Sequence, residues 1–270
     1  MNDDLGDRMK NNYEDRTRTF VPRRTYSIIR LDGCHFHTYT SKLLKPFDHN
    51  LYTDMNDAII ALLPHIQGVV FAYTQSDEIS VLVTDFALPT TCAWFDGNIQ
   101  KIASVSASII TAEFNKLRWI RRNIIQETTT GKSHFNPTNT AYFDSRVFTI
   151  PDRTEVMNYF IWRNQDCSRN SVSMLAQDLF SHKELQGKST TEMIEMTAQH
   201  NSGCSWIALN QDLKFGRLIV KETYTVSNFH DPSMILLGDL TSERSRWIAK
   251  PAWRFTEDKD KILSMIPKYE

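Results

Sequence analysis

An α+β fold with a largely antiparallel sheet is what this sequence predicts, and three observations predict it. Val69-Val70-Phe71-Ala72-Tyr73 and Ile79-Ser80-Val81-Leu82-Val83 are β-branched or aromatic runs around the polar break Gln75-Ser76-Asp77-Glu78, the pattern of a β-hairpin. Leu51, Met55, Ala58, Ile59, Leu62 and Leu63 recur at helical spacing. Strand-like and helix-like segments alternate through the first two-thirds of the chain, and the central hairpin argues against an all-parallel, doubly wound sheet.

In chain order, the first twenty-odd residues are highly charged and predict an amphipathic, solvated arm closing on Arg16, Arg18, Arg23 and Arg24. Tyr26 to Leu31 is the first strand. Asp48 to Leu63 is the helix with the apolar spacing above, ended by Pro64 and Gly68. Phe95-Asp96-Gly97-Asn98 leads into a long helix through Leu117, with Ile99, Ile102, Val105, Ile109 and Phe114 as its buried stripe. Lys116, Arg118, Arg121 and Arg122 gather at its far end. Thr128 to Asn139 is polar and contains Gly131 and Pro137, which predicts a loop. Ala141 to Ile150 reads as a strand stopped by Pro151. Asp152 with Glu155 forms a capping box for a helix to about Phe180, and Ser189 with Glu192 repeats it for a shorter one. Asn201-Ser202-Gly203 terminates that second helix. The remainder, with Leu218-Ile219-Val220 and Thr223-Tyr224-Thr225-Val226, leans toward strand and irregular structure. Trp206, Trp247 and Trp253 are assigned to the core rather than to base stacking.

Composition narrows the function classes. With 270 residues, 41% hydrophobic and 23% charged, the chain has the makings of its own core and is not disordered. A formal net charge of −1 means that any polyanion-binding surface must be local. Cys34, Cys92, Cys167 and Cys204 stand far apart without a Cys-x-x-Cys pair, so zinc-ribbon and redox motifs are unsupported. An acidic N-terminus without an apolar core, and no apolar run of transmembrane length, give the expectation of a soluble, cytoplasmic protein with no membrane partner.

The chemistry centres on Ile28-Ile29-Arg30-Leu31-Asp32-Gly33-Cys34-His35-Phe36-His37, an apolar strand that ends abruptly on Asp-Gly. Such an end places a carboxylate and an open backbone at a sheet rim. Asp77 sits at the hairpin bend, so neighbouring strands would bring Asp32 and Asp77 together. Two carboxylates and the Gly33 carbonyl are hard oxygen ligands suited to a pair of Mg²⁺ ions. Glu78 adds acidity from the opposite strand face, and Lys45, before Pro46, is a plausible triphosphate contact. A plain polar turn and a solvated lysine are the competing readings. His35 and His37, read as extended, face the same side, and nucleotide contact or packing suits them better than zinc. Gly131-Lys132-Ser133 and Gly187-Lys188-Ser189-Thr190 resemble P-loop tails, but Gln126 and His182 stand where the earlier glycine is required. No Gly-x-Ser-x-Gly elbow occurs.

Five blocks in order resemble one family. They are Arg30-Leu31-Asp32-Gly33-x-x-Phe36-His37, Lys45-Pro46, Tyr73-x-Gln75-Ser76-Asp77-Glu78-x-Ser80, Phe143-Asp144-x-Arg146 and Trp162-Arg163-x-x-Asp166-Cys167. Their order and spacing are similar to the tRNA-His guanylyltransferase family, including its bacterial and archaeal Thg1-like branch, over roughly Arg30 to Asn201. The resemblance implies a polymerase- and cyclase-like palm flanked by helices. It implies a nucleotidyltransferase that extends tRNA in the 3′-to-5′ direction after ATP or GTP activates the 5′ end, with GTP favoured as the added nucleotide. Asp32 and Asp77 match catalytic, metal-binding carboxylates, with Gly33 giving a carbonyl to the metal. Gly33, Cys34, His35, Phe36, His37, Lys45, Ser76 and Asp77 are the expected nucleotide-binding residues. Arg30, Lys101, Arg146, Arg169 and Asn170 are the expected RNA or phosphate contacts. The resemblance also implies a homotetramer built as a dimer of dimers. The expected organisation is an arm over 1–24, a catalytic palm over 25–200, and a C-terminal extension over 201–270 packed on it.

One departure bears on substrate. Eukaryotic guanylyltransferases carry His-Ile-Asn-Asn after Asp-Cys, whereas Ser168-Arg169-Asn170-Ser171 stands here. That pattern is typical of the Thg1-like branch and favours template-dependent repair of tRNA 5′ ends over strict guanosine addition to tRNA-His. A palm-fold cyclase and a non-catalytic tRNA-binding protein are the rival expectations.

Overall fold

The computed structural model describes residues 4–129, 140–227 and 241–269. The N-terminal arm begins with α1 (Asp4–Met9) and continues as a π turn and a 3-10 turn to Thr17, with no residue buried. It is helical and solvated. β1 (Tyr26–Gly33) follows, then the short α2 (Phe36–Thr40) and α3 (His49–Leu62). Asp48 caps α3 by accepting from the Leu51 N–H at 2.8 Å, which satisfies one of the donors that a helix start leaves free.

β2 (Val69–Gln75) and β3 (Glu78–Thr84) form the expected hairpin. α4 (Ile99–Thr129) is longer than the apolar stripe suggested, so Lys116, Arg118 and Arg121 lie inside it rather than at its end. The reason is on α3. Asp54, fully buried, accepts from Arg118 Nη1 at 2.9 Å and from Arg121 Nε, clamping the two helices together. The Arg122 side chain, Gly131-Lys132-Ser133 and the predicted loop from residue 130 onward lie outside the described residues.

β4 (Phe143–Ile150) leads to α5 (Arg153–Leu179). Asp152 caps α5 through the Thr154 and Glu155 N–H groups, but Glu155 accepts from Asn158 instead of closing a reciprocal box. Two short helices follow, α6 (His182–Leu185) and α7 (Thr190–Gln199), and at α7 the Ser189–Glu192 box is complete. The Gly187-Lys188-Ser189-Thr190 segment is therefore a helix cap, with Lys188 Nζ 3.2 Å from Glu192.

α8 (Gln211–Phe215), β5 (Arg217–Ser227), β6 (Thr241–Pro251) and α9 (Lys259–Met265) complete the chain. Among the described residues every strand pairing is antiparallel, and six strands lie in the order β4-β1-β3-β2-β5-β6. The predicted C-terminal extension thus contributes two strands to the sheet itself, β5 pairing directly with β2 at Ala72↔Ile219 and β6 pairing with β5. Gly216 makes that junction possible. At φ 80°, a Cβ there would lie 2.6 Å from both the Thr74 carbonyl oxygen and the Tyr73 hydroxyl.

Side chains alternate across the sheet into two cores. Ile29, Leu31, Val81 and Ile79 pack with Met55, Ile59, Ile110 and Phe114 of α3 and α4. Ile28, Phe71, Tyr73 and Leu82 pack with Val156 and Phe160 of α5 and Ile262 of α9. Trp206 is buried and donates to Ser171 Oγ, whereas Trp247 and Trp253 are half-buried at the core margins.

Asn164, 1% exposed, ties α5 to the C-terminal segment. Its Nδ2 donates to the Phe215 and Trp253 carbonyls, and its Oδ1 accepts from the Phe255 N–H. Asn164→Ala strips two of those backbone groups of a buried partner, and we expect a loss of about 2–4 kcal/mol by urea unfolding. An unchanged midpoint would show that the cross-link contributes nothing.

Candidate active site

The ends of five strands define one rim of the sheet. β1 finishes there at Gly33, the β2–β3 turn crosses it, and β4 and β5 begin there. Leu31 pairs with Ile79, and Gln75 pairs with Glu78, so the two-residue turn Ser76-Asp77 lies just beyond, beside Asp32 and Gly33. Ser76 takes φ 48°, the left-handed conformation that lets a hairpin reverse in two residues.

Gly33 shows how close the approach is. A Cβ built on it would lie 2.8 Å from Asp77 Oδ2 and would collide with the Phe36 ring. Only glycine leaves room for the carboxylate above and the aromatic ring alongside. Asp32 and Asp77 therefore converge as the strand order requires.

Among the described residues, no ion pair reaches either aspartate, and no group of three metal-type side chains forms. Burial pushes the Asp77 carboxyl up to about 6; hydrogen bonds from the Ser76 side chain and its own backbone oppose this, while Asp32 and Glu78 add repulsion. Two uncompensated carboxylates at a solvent-facing rim are a donor set for a hard cation that takes its remaining ligands from water and phosphate.

The neighbouring residues divide into exposed groups and structural ones. Cys34 is half-buried, its thiol 3.9 Å from Asp144 Oδ2, and burial followed by Asp144 raises its pKa. His35 and His37 are exposed, but not as an extended pair: His35 adopts φ 52° and starts α2. Phe36 is 5% exposed, with its ring 5.0 Å from Tyr39 and 5.7 Å from Phe143. It supports the Gly33 turn from beneath and presents no open face to a ligand. Lys45 is exposed on the segment before α3.

The expected RNA contacts separate as well. Arg30 donates through Nη2 to Glu78 and is largely buried, so its charge is engaged inside the protein. Glu78 also receives a two-pronged contact from Arg163, Nε and Nη2 each at 2.6 Å. Arg163 Nη2 continues to Asp166 at 2.8 Å, and Asp166 to Arg169 at 2.6 Å. The Arg169 side chain remains 60% exposed, and Asn170 is exposed beside it. Arg146, across β1 from Arg30, is exposed with Asp144 3.8 Å away. Lys101 falls at the opposite end of the sheet: its neighbour Ile102 lines one cavity with Ser27 and Val83, whereas Thr111, two to three turns on, bonds Phe143 at the rim.

Two features escaped the sequence reading. Arg163 carried a motif position, but nothing local showed that its partner is Glu78, 85 residues away. Arg217 had no signal, being one arginine before an apolar run.

Comparisons with known proteins fit this geometry. The family model described as tRNAHis guanylyltransferase matches residues 6–151, more than half of the chain. The chain belongs to that family. Its members are tRNA guanylyltransferases, which are nucleotidyltransferases. A bacterial Thg1-like protein solved in complex with ATP superposes with a TM-score of 0.77 at 36% identity, covering 98% of this chain and 100% of its own. A complex of a bacterial Thg1-like protein with GTP gives 0.75 at the same identity, covering 97% of this chain and 99% of its own. The architecture is thus the palm-like fold of those enzymes. An uncharacterized protein of Acanthamoeba polyphaga mimivirus is 28% identical over 84% of this chain and 80% of its own length. Against tRNA(His) guanylyltransferase 2 of Arabidopsis thaliana, identity is 27% over 65% of this chain, spanning 32% of that protein.

The Asp77 environment sets a measurable sign. Its carboxyl titrates near 6 in the fold but at 3.8 by reference, so the native state binds the proton more tightly. Asp77 therefore destabilises the metal-free protein above pH 6, and the penalty is relieved as pH falls from about 6 to about 4. After discounting for partial exposure, Asp77→Asn should stabilise the metal-free protein by about 2 kcal/mol at pH 7 and by little at pH 4. Chemical denaturation in EDTA at both pH values is the measurement, and a pH-independent difference would contradict the assignment.

Proposed function

We propose that this chain is a Mg²⁺-dependent nucleotidyltransferase that adds nucleotides, GTP foremost, to the 5′ end of tRNA in the 3′-to-5′ direction. The observation that supports this most is the placement of Asp32 and Asp77 side by side against Gly33, without a counter-ion. A purely structural role demands neither, because an uncompensated acidic pair at a rim destabilises the fold. Likeness to bacterial Thg1-like proteins in complex with ATP and with GTP supports the nucleotide substrates.

In this reading Asp32, Asp77 and the Gly33 carbonyl hold two Mg²⁺ ions, which when bound neutralise triphosphate charge and favour ionisation of the attacking hydroxyl. Lys45 and Ser76 hold the triphosphate, and the exposed His35 and His37 with the half-buried Cys34 border the nucleotide. A 5′-monophosphate oxygen of tRNA first attacks the α-phosphorus of ATP or GTP, forming a phosphoanhydride and releasing pyrophosphate. The 3′-hydroxyl of the incoming nucleotide then attacks the 5′ phosphorus of that end. One phosphodiester forms, the activating group leaves, and the hydroxyl proton is released. Arg146, Arg169 and Asn170 remain exposed and are the RNA contacts in this proposal. Arg30 is assigned instead to holding Glu78. Lys101 meets RNA only if the strand passes the far end of the sheet, as in the dimer of dimers that this proposal includes.

Ser168-Arg169-Asn170-Ser171 supports templated repair over strict guanosine addition. Asp32→Ala and Asp77→Ala should each reduce nucleotide incorporation at least a thousandfold while preserving circular dichroism; full activity in either would refute the metal-site assignment. Offered 5′-truncated tRNAs with single triphosphates, the wild-type chain should add whichever nucleotide pairs with the opposite strand. Guanosine addition to tRNA-His alone would return the activity to the narrower form, and a cyclic nucleotide made without RNA would make the chain a cyclase.

A further inference from the structure

The outer face of α5 and the segment that follows β6 enclose a groove with about 820 Å³ of open space, mouth included. Trp162, Gln165, Ser168 and Arg169 line it from the helix, and Arg254 and Thr256 line it from the segment. Residues 162, 165 and 169 recur at helical spacing, which puts them on one stripe of α5. The volume falls within the range of ligand-binding clefts. None of the lining side chains is a carboxylate.

Trp162 is 49% exposed, yet its ring is held in place. The Arg163 guanidinium lies 4.3 Å from the ring centroid, and Tyr159 meets the ring edge-on at 6.0 Å. Arg163 is itself fixed by the two-pronged contact with Glu78. A lone exposed tryptophan is ordinary on a protein surface. One that is fixed at the wall of a basic groove is a preformed platform on which a base can stack.

Two cations flank the same space from opposite walls. The Arg169 side chain is 60% exposed and that of Arg254 is 44% exposed. Each rests on a carboxylate three residues away, Asp166 at 2.6 Å and Glu257 at 3.4 Å. Exposed pairs of this kind are worth little, so exchanging the carboxylate for a phosphate costs little. The Gln165 amide and the Ser168 and Thr256 hydroxyls add neutral donors and acceptors suited to base edges and ribose. With an arginine on each wall, the groove suits a chain of phosphates better than a single one. Duplex RNA keeps its base faces stacked inside the helix, whereas an unpaired strand offers a free base face and a phosphate at every step.

We propose that this groove binds an unpaired RNA strand, with one base stacked on Trp162 and phosphates on Arg169 and Arg254. The proposal deepens the tRNA reading and rests on it for the identity of the strand. Arg163 joins Trp162 to Glu78, the neighbour of Asp77, so the groove adjoins the two-aspartate rim. In a tRNA the unpaired stretch beside the 5′ end is the 3′ overhang, which makes that overhang the occupant.

The test is fluorescence anisotropy of a short dye-labelled single-stranded RNA titrated with the full chain in EDTA. The comparison is the same sequence closed into a duplex. The single strand should bind more tightly than the duplex. Trp162→Ala should weaken single-strand binding about tenfold, whereas Trp162→Phe, which keeps an aromatic face, should retain most of it. Arg254→Gln should also weaken it and should lower the slope of log affinity against log salt by about 0.7, the share of one phosphate contact on a single strand. Both side chains are exposed, and circular dichroism verifies that the variants are folded. Equal binding of strand and duplex, wild-type affinity in Trp162→Ala or Arg254→Gln, or an equal loss in Trp162→Phe and Trp162→Ala overturns the groove. Nucleotide addition that persists alongside that outcome leaves the wider functional reading intact, so the two failures are distinguishable.

Discussion

The grip of Arg163 and Arg30 on Glu78 is the interaction on which the site depends. Glu78 is the first residue of β3 and follows Asp77 directly. Arg163 comes from the middle of α5, and Arg30 comes from β1 beside Ser80. One carboxylate thus joins the helix layer, the first strand and the start of the hairpin return strand. Removing a partner from such a buried cluster leaves an uncompensated charge, a loss of about 3–5 kcal/mol in comparable cases. The cluster is also directional. Its bidentate geometry fixes the Glu78 side chain on one face of β3, so that its neighbour Asp77 is presented at the other.

The pinned turn explains the electrostatics of the rim. Positive charge is plentiful nearby, but Glu78 and Asp166 have already engaged it, so Asp32 and Asp77 receive none of it. Their mutual repulsion and the partial burial of Asp77 persist because the sheet and the Gly33–Phe36 contact hold the backbone where it is. The fold thereby carries an energetic cost that a bound cation would remove. Arg217, buried at the same rim, makes no ion pair among the described residues.

Fold and function also share the C-terminal third. β5 and β6 widen the sheet, α9 closes the core beneath α5, and Asn164 bonds the segment to α5 at three backbone groups. That third supplies Arg217, so the edge of the candidate site is built from residues far apart in the chain. The α3–α4 clamp at Asp54 plays the same structural part on the other face, and it removes Arg118 and Arg121 from the pool of cations open to RNA.

The sequence by itself determined the main strands and helices up to Gln199 and singled out the two aspartates. The hairpin, the capped helices and the strand ending in Asp-Gly are written in local periodicity and turn chemistry, which act over a few residues. The convergence of Asp32 and Asp77 was legible only as a condition, that their strands be neighbours, and the β1–β3 register meets it. Tertiary structure alone decided which charges are free. Arg30 read as an RNA contact, and Arg118 and Arg121 as a basic group at a helix end, yet each is paired with a carboxylate that local pattern does not reveal. Phe36 read as a nucleotide contact, and its ring is buried against Tyr39 and Phe143. Arg217 read as nothing and proved to be buried without a counter-ion. Counter-charges come from segments 48 to 85 residues away for Glu78 and 64 for Asp54, and no local rule reaches that far. Desolvation and pairing are properties of the packed molecule, so the residues were visible in the sequence while their charge state and availability were not.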